Sequence, residues 1–110
     1  MDLVAALYST TSNFPSKEQY GLTSQMRRAA VSIASNIAEG KQRGTRKDYR
    51  HFLMIAYGST AELETQLDIS FRLAYISKDT YEKLLGRIQE IGRMMNKLIE
   101  SLALSPSPET

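Results

Sequence analysis

Between Tyr81 and Leu102, seven apolar residues (Tyr81, Leu84, Ile88, Ile91, Met95, Leu98 and Leu102) recur at spacings of 3, 4, 3, 4, 3 and 4. An α-helix of about 3.6 residues per turn gathers such a series onto one side, whereas a strand would scatter it over both faces of a sheet. One apolar stripe cannot bury itself, so the rest of the chain has to supply its cover. Nowhere else do apolar and polar residues alternate between turn residues in the manner of a strand. The expectation is an all-α fold.

Three further helices are expected ahead of that one. The first spans about residues 2–13, with Leu3, Val4, Leu7 and Tyr8 on one face, and stops at Phe14 because Pro15 pushes its predecessor out of helical geometry. The second opens at Thr23 as N-cap and runs to Glu39, with Gly40 in the left-handed C-terminal position. Its stripe is Met26, Ala30, Ile33 and Ile37, and its many Ala and Ser positions keep it narrow enough for close neighbours. The third follows Thr45, whose pairing with Asp48 resembles a capping box, and spans about residues 46–75. Phe52, Ala56, Leu63, Leu67 and Ala74 lie near one stripe, while Leu53, Ile55, Tyr57, Ile69, Phe71 and Leu73 fall off it, more apolar surface than one neighbour covers.

Ser77 caps the fourth helix, with Asp79 placed favourably in its first turn. Short connections favour antiparallel neighbours, so residues 1–102 are expected to form one up-and-down four-helix bundle. The tail SPSPET cannot continue a helix, and residues 103–110 are expected to be disordered. At 110 residues the chain suits one domain, and burial between copies would add to its small core. With no cysteine there is neither a disulfide framework nor a thiolate site. No apolar run approaches the roughly 20 residues of a membrane span, and the start lacks a secretory leader, so the cytoplasm is the expected compartment and no membrane is expected as a partner.

The charge is unevenly placed. Residues 27–50 hold Arg27, Arg28, Lys41, Arg43, Arg46, Lys47 and Arg50 against only Glu39 and Asp48. This +5 within a whole-chain charge of +2 leaves the remainder at −3.

Two blocks bring in a family. LTSQMRRAAVSIASNIAEG, residues 22–40, and YRHFLMIAYGSTAELETQL, residues 49–67, resemble the bacterial four-helix-bundle family named for proteins encoded in intervening sequences of 23S ribosomal RNA genes. The resemblance extends over about residues 1–102. It implies an antiparallel bundle assembled as a ring-shaped homopentamer with a central channel, which would cover the second side of the third helix. A related family, the accessory variability determinant of diversity-generating retroelements, shares this architecture, and there the basic outer surface serves a reverse transcriptase and nucleic acid. Ala34 stands where a proline is common in the family, implying a straighter second helix.

For the seven cations, the functional reading is sequence-independent binding of structured RNA or DNA, repeated around one rim of a ring. Gln42, Tyr49 and His51 stand near enough to meet bases. Arg27 and Arg28 lie roughly 20 Å from the turn at about 1.5 Å per residue, so they form a separate group. The competing reading makes these cations partners of acids on a neighbouring copy, or of the last carbonyls of the second helix.

Other constellations carry less. Glu62, Glu64, Asp68 and Glu39 suggest a carboxylate metal site, but the one histidine, His51, follows Asp48 and forms no Glu-x-x-His motif. Glu62 and Glu64 are expected on different faces, paired instead with Arg or Lys of adjacent helices or subunits, such as Arg27, Arg28 or Arg72. Asn36 and the Ser32, Ser35, Gly58, Ser59 and Thr60 positions read as close-packing residues, with Asn36 bonding across the interface. Met94 and Met95, beside Arg93 and Lys97, read as core more readily than as a membrane-surface or partner face.

The sequence therefore points to a non-enzymatic homopentameric scaffold without a cofactor. Its basic turn would bind nucleic acid or a nucleic-acid enzyme. The alternatives are a ring engaged only in protein contacts and a carboxylate-metal enzyme.

Overall fold

The computed structural model describes residues 2–103. Within them are four α-helices and no strand: α1 (Asp2–Thr11), α2 (Leu22–Arg43), α3 (Arg46–Arg72) and α4 (Lys78–Ala103), with a short 3-10 turn (Ser16–Glu18) between the first two. Of the tail expected at 103–110, Ala103 closes α4 as helix, and residues 104–110 lie outside the described residues. No described helix is long and apolar enough to cross a membrane.

α1 and α3 each pack against both α2 and α4, so the helices stand at the corners of a square. Ser32 meets Ser59, Met26 meets Ser70, and Gly40 lies against Phe52, which fixes α2 and α3 as antiparallel. Arg46 reaches Ser101, and Gly92 lies beside Tyr57, which does the same for α3 and α4. The unit is a rod 54 Å long and 22 by 19 Å across.

Its core runs through Leu3 and Leu7 of α1; Met26, Ala30 and Ile33 of α2; Leu53, Leu63 and Leu67 of α3; and Leu84, Ile88 and Met95 of α4. Leu53, expected off the stripe of the third helix, is fully buried, whereas neighbouring Phe52 is only partly covered. With Leu53 the inward series reads Leu53, Ala56, Thr60, Leu63, Leu67, Ser70, a regular 3–4 repeat. The expected α4 stripe holds in part: Leu84, Ile88 and Met95 are buried, Tyr81, Ile91, Leu98 and Leu102 are only partly covered, Gly92 and Ile99 complete the buried face, and Met94 is half-exposed.

The helix ends differ from expectation in four places, the first being α1, which ends at Thr11, two residues short of the expected bound. α2 starts at Leu22 with Gly21 at its N-cap, and Thr23 is buried inside its first turn. It also continues past Glu39 to Arg43, and Gly44, with φ of 84°, takes the left-handed position expected of Gly40. Gly40 serves close approach: a Cβ there would lie 3.0 Å from both Phe52 Cβ and Tyr49 Cδ1. Thr45 caps α3 as expected, its hydroxyl accepting from the Asp48 N–H at 3.1 Å.

α3 stops at Arg72, three residues short of expectation. The Tyr75 N–H donates to Ser70 O and the Ala74 N–H to Phe71 O, both at 2.9 Å, closing a Schellman motif. That motif needs a left-handed residue, and Ala74 supplies it at φ 62°, a conformation an alanine adopts only under such constraint.

Candidate nucleic-acid interface

The turn joining α2 to α3 is tied to the far end of α4. Arg46 Nη2 donates to Ser101 O at 2.9 Å, and Arg50 Nε donates to Ile99 O at 3.2 Å. Carbonyls in the last turn of a helix carry the negative end of its macrodipole, so cations are favoured there. These two arginines therefore stabilise the carboxyl end of α4. The competing reading places turn cations on the last carbonyls of the second helix; for Arg46 and Arg50 the carbonyls belong to α4.

Arg43 is held within α2–α3. Its Nε lies 2.8 Å from Glu39 Oε2, one helical turn earlier, and its guanidinium carbon stands 4.9 Å from the centre of the Phe52 ring. Lys41 and Lys47 differ. Both are exposed, and among the described residues neither meets an acid or an acceptor. A groove of about 280 Å³ lies beside Lys41, walled also by Arg46, Tyr49 and Leu102. His51 is exposed and packs edge-on against Phe52, 5.3 Å between ring centres.

At the other end, the two adjacent arginines part company. Arg27 folds back onto α1: its Nε donates to Thr11 Oγ1 at 2.8 Å, its Nη2 to Tyr8 O at 3.2 Å, and its guanidinium lies 4.5 Å from the Tyr8 ring centre. Thr11 passes the chain on by donating to Leu7 O at 2.7 Å. Arg27 is thus a clamp on the end of α1. Arg28 points outward and walls two grooves, one with Tyr8 and Tyr20, the other with Glu62 and Gln66.

The seven cations consequently do three jobs. Arg27, Arg46 and Arg50 hold helix ends, Arg43 makes a local pair and ring contact, and Arg28, Lys41 and Lys47 present charge to the exterior.

The acids are dispersed. Asp68 pairs with Arg72 at 2.8 Å, Glu62 faces the Arg28 groove, and Glu64 lines an α3–α4 groove with Arg93. Among the described residues no group of three His, Cys, Asp or Glu side chains is placed to hold a metal ion. Asn36 bonds within its own helix, its Nδ2 donating to Ser32 O at 2.8 Å and contacting Ser32 Oγ at 3.1 Å. It is Ser32 that crosses to α3, 2.9 Å from Ser59 Oγ.

One polar constellation was not read from the sequence. Glu18 Oε2 accepts from the Tyr75 hydroxyl at 2.8 Å, and its Oε1 accepts from the Leu22 N–H at 3.2 Å, joining the 3-10 turn to the start of α2 and to the α3–α4 connection. The tyrosine hydroxyl first, and then the Leu22 N–H, hold the Glu18 carboxyl below the usual carboxylate value. In return, the bond to Glu18 raises the Tyr75 phenol above its ordinary value. A depressed carboxyl contributes stability above its unfolded value and loses it as pH falls through the folded one; a raised phenol contributes below its unfolded value and loses it as pH rises through the folded one. Glu18→Gln is therefore expected to lower the melting temperature at neutral pH, with the difference from wild type closing below roughly pH 4, near and below the ordinary glutamate value. Parallel melts from pH 3 to 8 check it. A difference that persists undiminished at pH 3 would dismiss the carboxylate as its source.

The sequence model of the 23S rRNA-intervening sequence proteins matches residues 1–97. Among solved structures, a protein of unknown function of the S23 ribosomal protein family, from Bacteroides thetaiotaomicron, superposes with a TM-score of 0.78 at 28% identity, over 88% of each chain. No curated protein matches.

Proposed function

This chain belongs to the 23S rRNA-intervening sequence protein family, and from that premise we propose that it is a non-enzymatic, self-associating scaffold that takes structured nucleic acid on the α2–α3 rim. The observation that carries the reading is the division of labour at that rim. Arg46 and Arg50 are engaged in holding α4, and Lys41 and Lys47 stand exposed beside them with no acid to neutralise them among the described residues. A phosphate backbone is the complement of such a surface.

Self-association is supported by the outer side of α3, which leaves Met54, Ile55, Ile69 and Leu73 exposed by 41–50% around a stretch containing Gly58 and Ala61. Apolar surface of this extent on a small bundle suits a second copy. The proposed assembly is a homopentameric ring, which would bring five copies of the rim to one end and turn weak phosphate contacts into avid binding.

The test is titration of labelled hairpin RNA and duplex DNA at several salt concentrations, with the mass followed by light scattering in the same buffers. Wild type is expected to bind with a salt-dependent affinity while the mass stays constant. Lys41→Glu with Lys47→Glu is expected to weaken binding at least tenfold and to make the salt slope shallower by roughly 2 per engaged protomer. These two residues are preferred to Arg46 and Arg50, whose loss would also release the end of α4. No binding at low salt from an intact assembly would overturn the nucleic-acid reading in favour of a ring engaged only in protein contacts.

A further inference from the structure

The second group of cations opens onto a cavity of its own. Between the end of α1, the 3-10 turn and the first turns of α2 lies a groove of about 510 Å³, within the roughly 300–1,000 Å³ of small-ligand sites. Tyr8, Gln19, Tyr20, Ser24, Arg27 and Arg28 line it, and none of its lining residues is an acid. This contrasts with the neighbouring groove on the far side of Arg28, which contains Glu62.

The lining residues differ in what they have left to offer. The Arg27 guanidinium is spent on Thr11, on Tyr8 O and on the Tyr8 ring, so Tyr8 and Arg27 form a fixed wall. Arg28 is exposed and meets no acceptor among the described residues. Tyr20 is 90% exposed, so its ring is open to stacking. A large aromatic held out in water beside an unneutralised arginine has no part in the core. Glu18, the nearest acid in sequence, is engaged with Tyr75 and Leu22 and does not line the groove.

We propose that this groove binds one nucleotide of a single-stranded nucleic acid, its base stacked on Tyr20 and its phosphate on Arg28. The pairing of an open aromatic face with a free cation is what single-stranded chains require: stacking tolerates any base, and the cation follows the backbone. Ser24 and Gln19 add uncharged hydrogen-bonding groups at the same opening. The groove lies roughly 20 Å along α2 from Lys41, at about 1.5 Å per residue, so it is a second site, distinct from the rim. It rests on the nucleic-acid reading above and narrows it to an unpaired segment.

The test uses the full chain and fluorescein-labelled decauridylate, with a labelled RNA hairpin closed by a short loop as the duplex probe. Four proteins are compared: wild type, Tyr20→Ala, Arg28→Glu, and Lys41→Glu with Lys47→Glu. Tyr20→Ala, at a position 90% exposed, is expected to leave the melting temperature unchanged. It is expected to weaken decauridylate binding roughly 5- to 150-fold, the range of one lost base stack, with little effect on the hairpin. Arg28→Glu is expected to weaken decauridylate at least as much, and the double lysine variant chiefly the hairpin. Wild type that binds both probes, with Tyr20→Ala and Arg28→Glu unchanged on decauridylate, overturns the groove while leaving the rim intact. Wild type that binds neither probe overturns both.

Discussion

Leu67→Ala is expected to destabilise the protein by about 2–5 kcal/mol. Leu67 is fully buried near the carboxyl end of α3, on the inward series that also contains Leu63 and Ser70. Truncation removes the branching carbon and its two methyl groups from a site where the neighbouring Ser70 side chain is held in place: its Oγ, one turn away, donates to Gln66 O at 2.9 Å and reaches Met26 Sδ at 3.3 Å. The surroundings therefore cannot collapse freely into the space, and the cost sits above the transfer term alone. Leu98→Ala is the internal comparison. Leu98 is only partly buried on α4, so less area returns to water, and roughly 1–2 kcal/mol is expected. Urea melts at one protomer concentration, fixed because association would shift the midpoint, check both. A Leu67→Ala loss below about 1 kcal/mol would show that the α3 stripe does not face the core.

The second large effect concerns two glycines that look alike in sequence and differ in space. At Gly40 an added methyl meets Phe52 Cβ and Tyr49 Cδ1 at 3.0 Å and the Tyr49 carbonyl oxygen at 3.3 Å. A side-chain tip can swing away, but a Cβ and a backbone oxygen move only with their helix. Gly40→Ala is thus expected to push α2 off α3 and cost about 1–3 kcal/mol, in spite of alanine's better helix propensity. At Gly86, in the exposed face of α4, an added methyl meets nothing within 4 Å. Gly86→Ala is expected to stabilise by about 1 kcal/mol, since only the backbone entropy term remains. Opposite signs in the same urea assay are the expected result, and a stabilised Gly40→Ala would refute the close contact.

That contrast also explains what the sequence revealed and what it concealed. Gly40 was a reasonable helix terminator, because a glycine after an amphipathic run has two possible uses and only the tertiary neighbour distinguishes them. The better local signal was Gly44, directly before the Thr45 cap, since one residue that ends a helix and the next that begins another leave the shortest connection. Leu53 and Phe52 were exchanged for a related reason: neighbours on a helix are about 100° apart, and a stripe with small residues such as Ala56 and Ser59 has blurred edges. The 3–4 repeat of α4 located its core face through Leu84, Ile88 and Met95 but missed Gly92, which has no side chain to mark it, and Ile99, the neighbour of Leu98.

At the candidate interface the residue types were legible and their partners were not. Arg46 and Arg50 find carbonyls 55 and 49 residues away, and a backbone carbonyl leaves no trace in the identity of its residue. The same is true of Arg27 and Tyr8 O. Arg28 could not be separated from Arg27 by composition; it is the 100° turn between consecutive helical residues that sends one to α1 and the other outward. Tyr20 could not be told from Phe14 by type: both aromatics stand in the α1–α2 connection, and only the packing of Phe14 against Tyr75 takes one inward while the other stays exposed.

The shortness of α1 has a consequence for how the molecule opens. Its ten residues are far below the length at which a detached helix survives in water, so α1 cannot lift away as a rigid piece and must leave as unfolded chain. What holds it is small and local: Leu3 and Leu7 in the core, and one arginine gripping its last turn. The α2–α3 pair, in contrast, is pinned at both ends and in the middle. Thermal breathing is therefore graded along the fold, with one corner of the square emptying before the other three separate. Each such event bares the apolar flank shared by α2 and α4 for as long as the corner stays vacant, and the population of that open state, more than the global stability, sets how exposed the protein is to proteases or to an α1 from another copy.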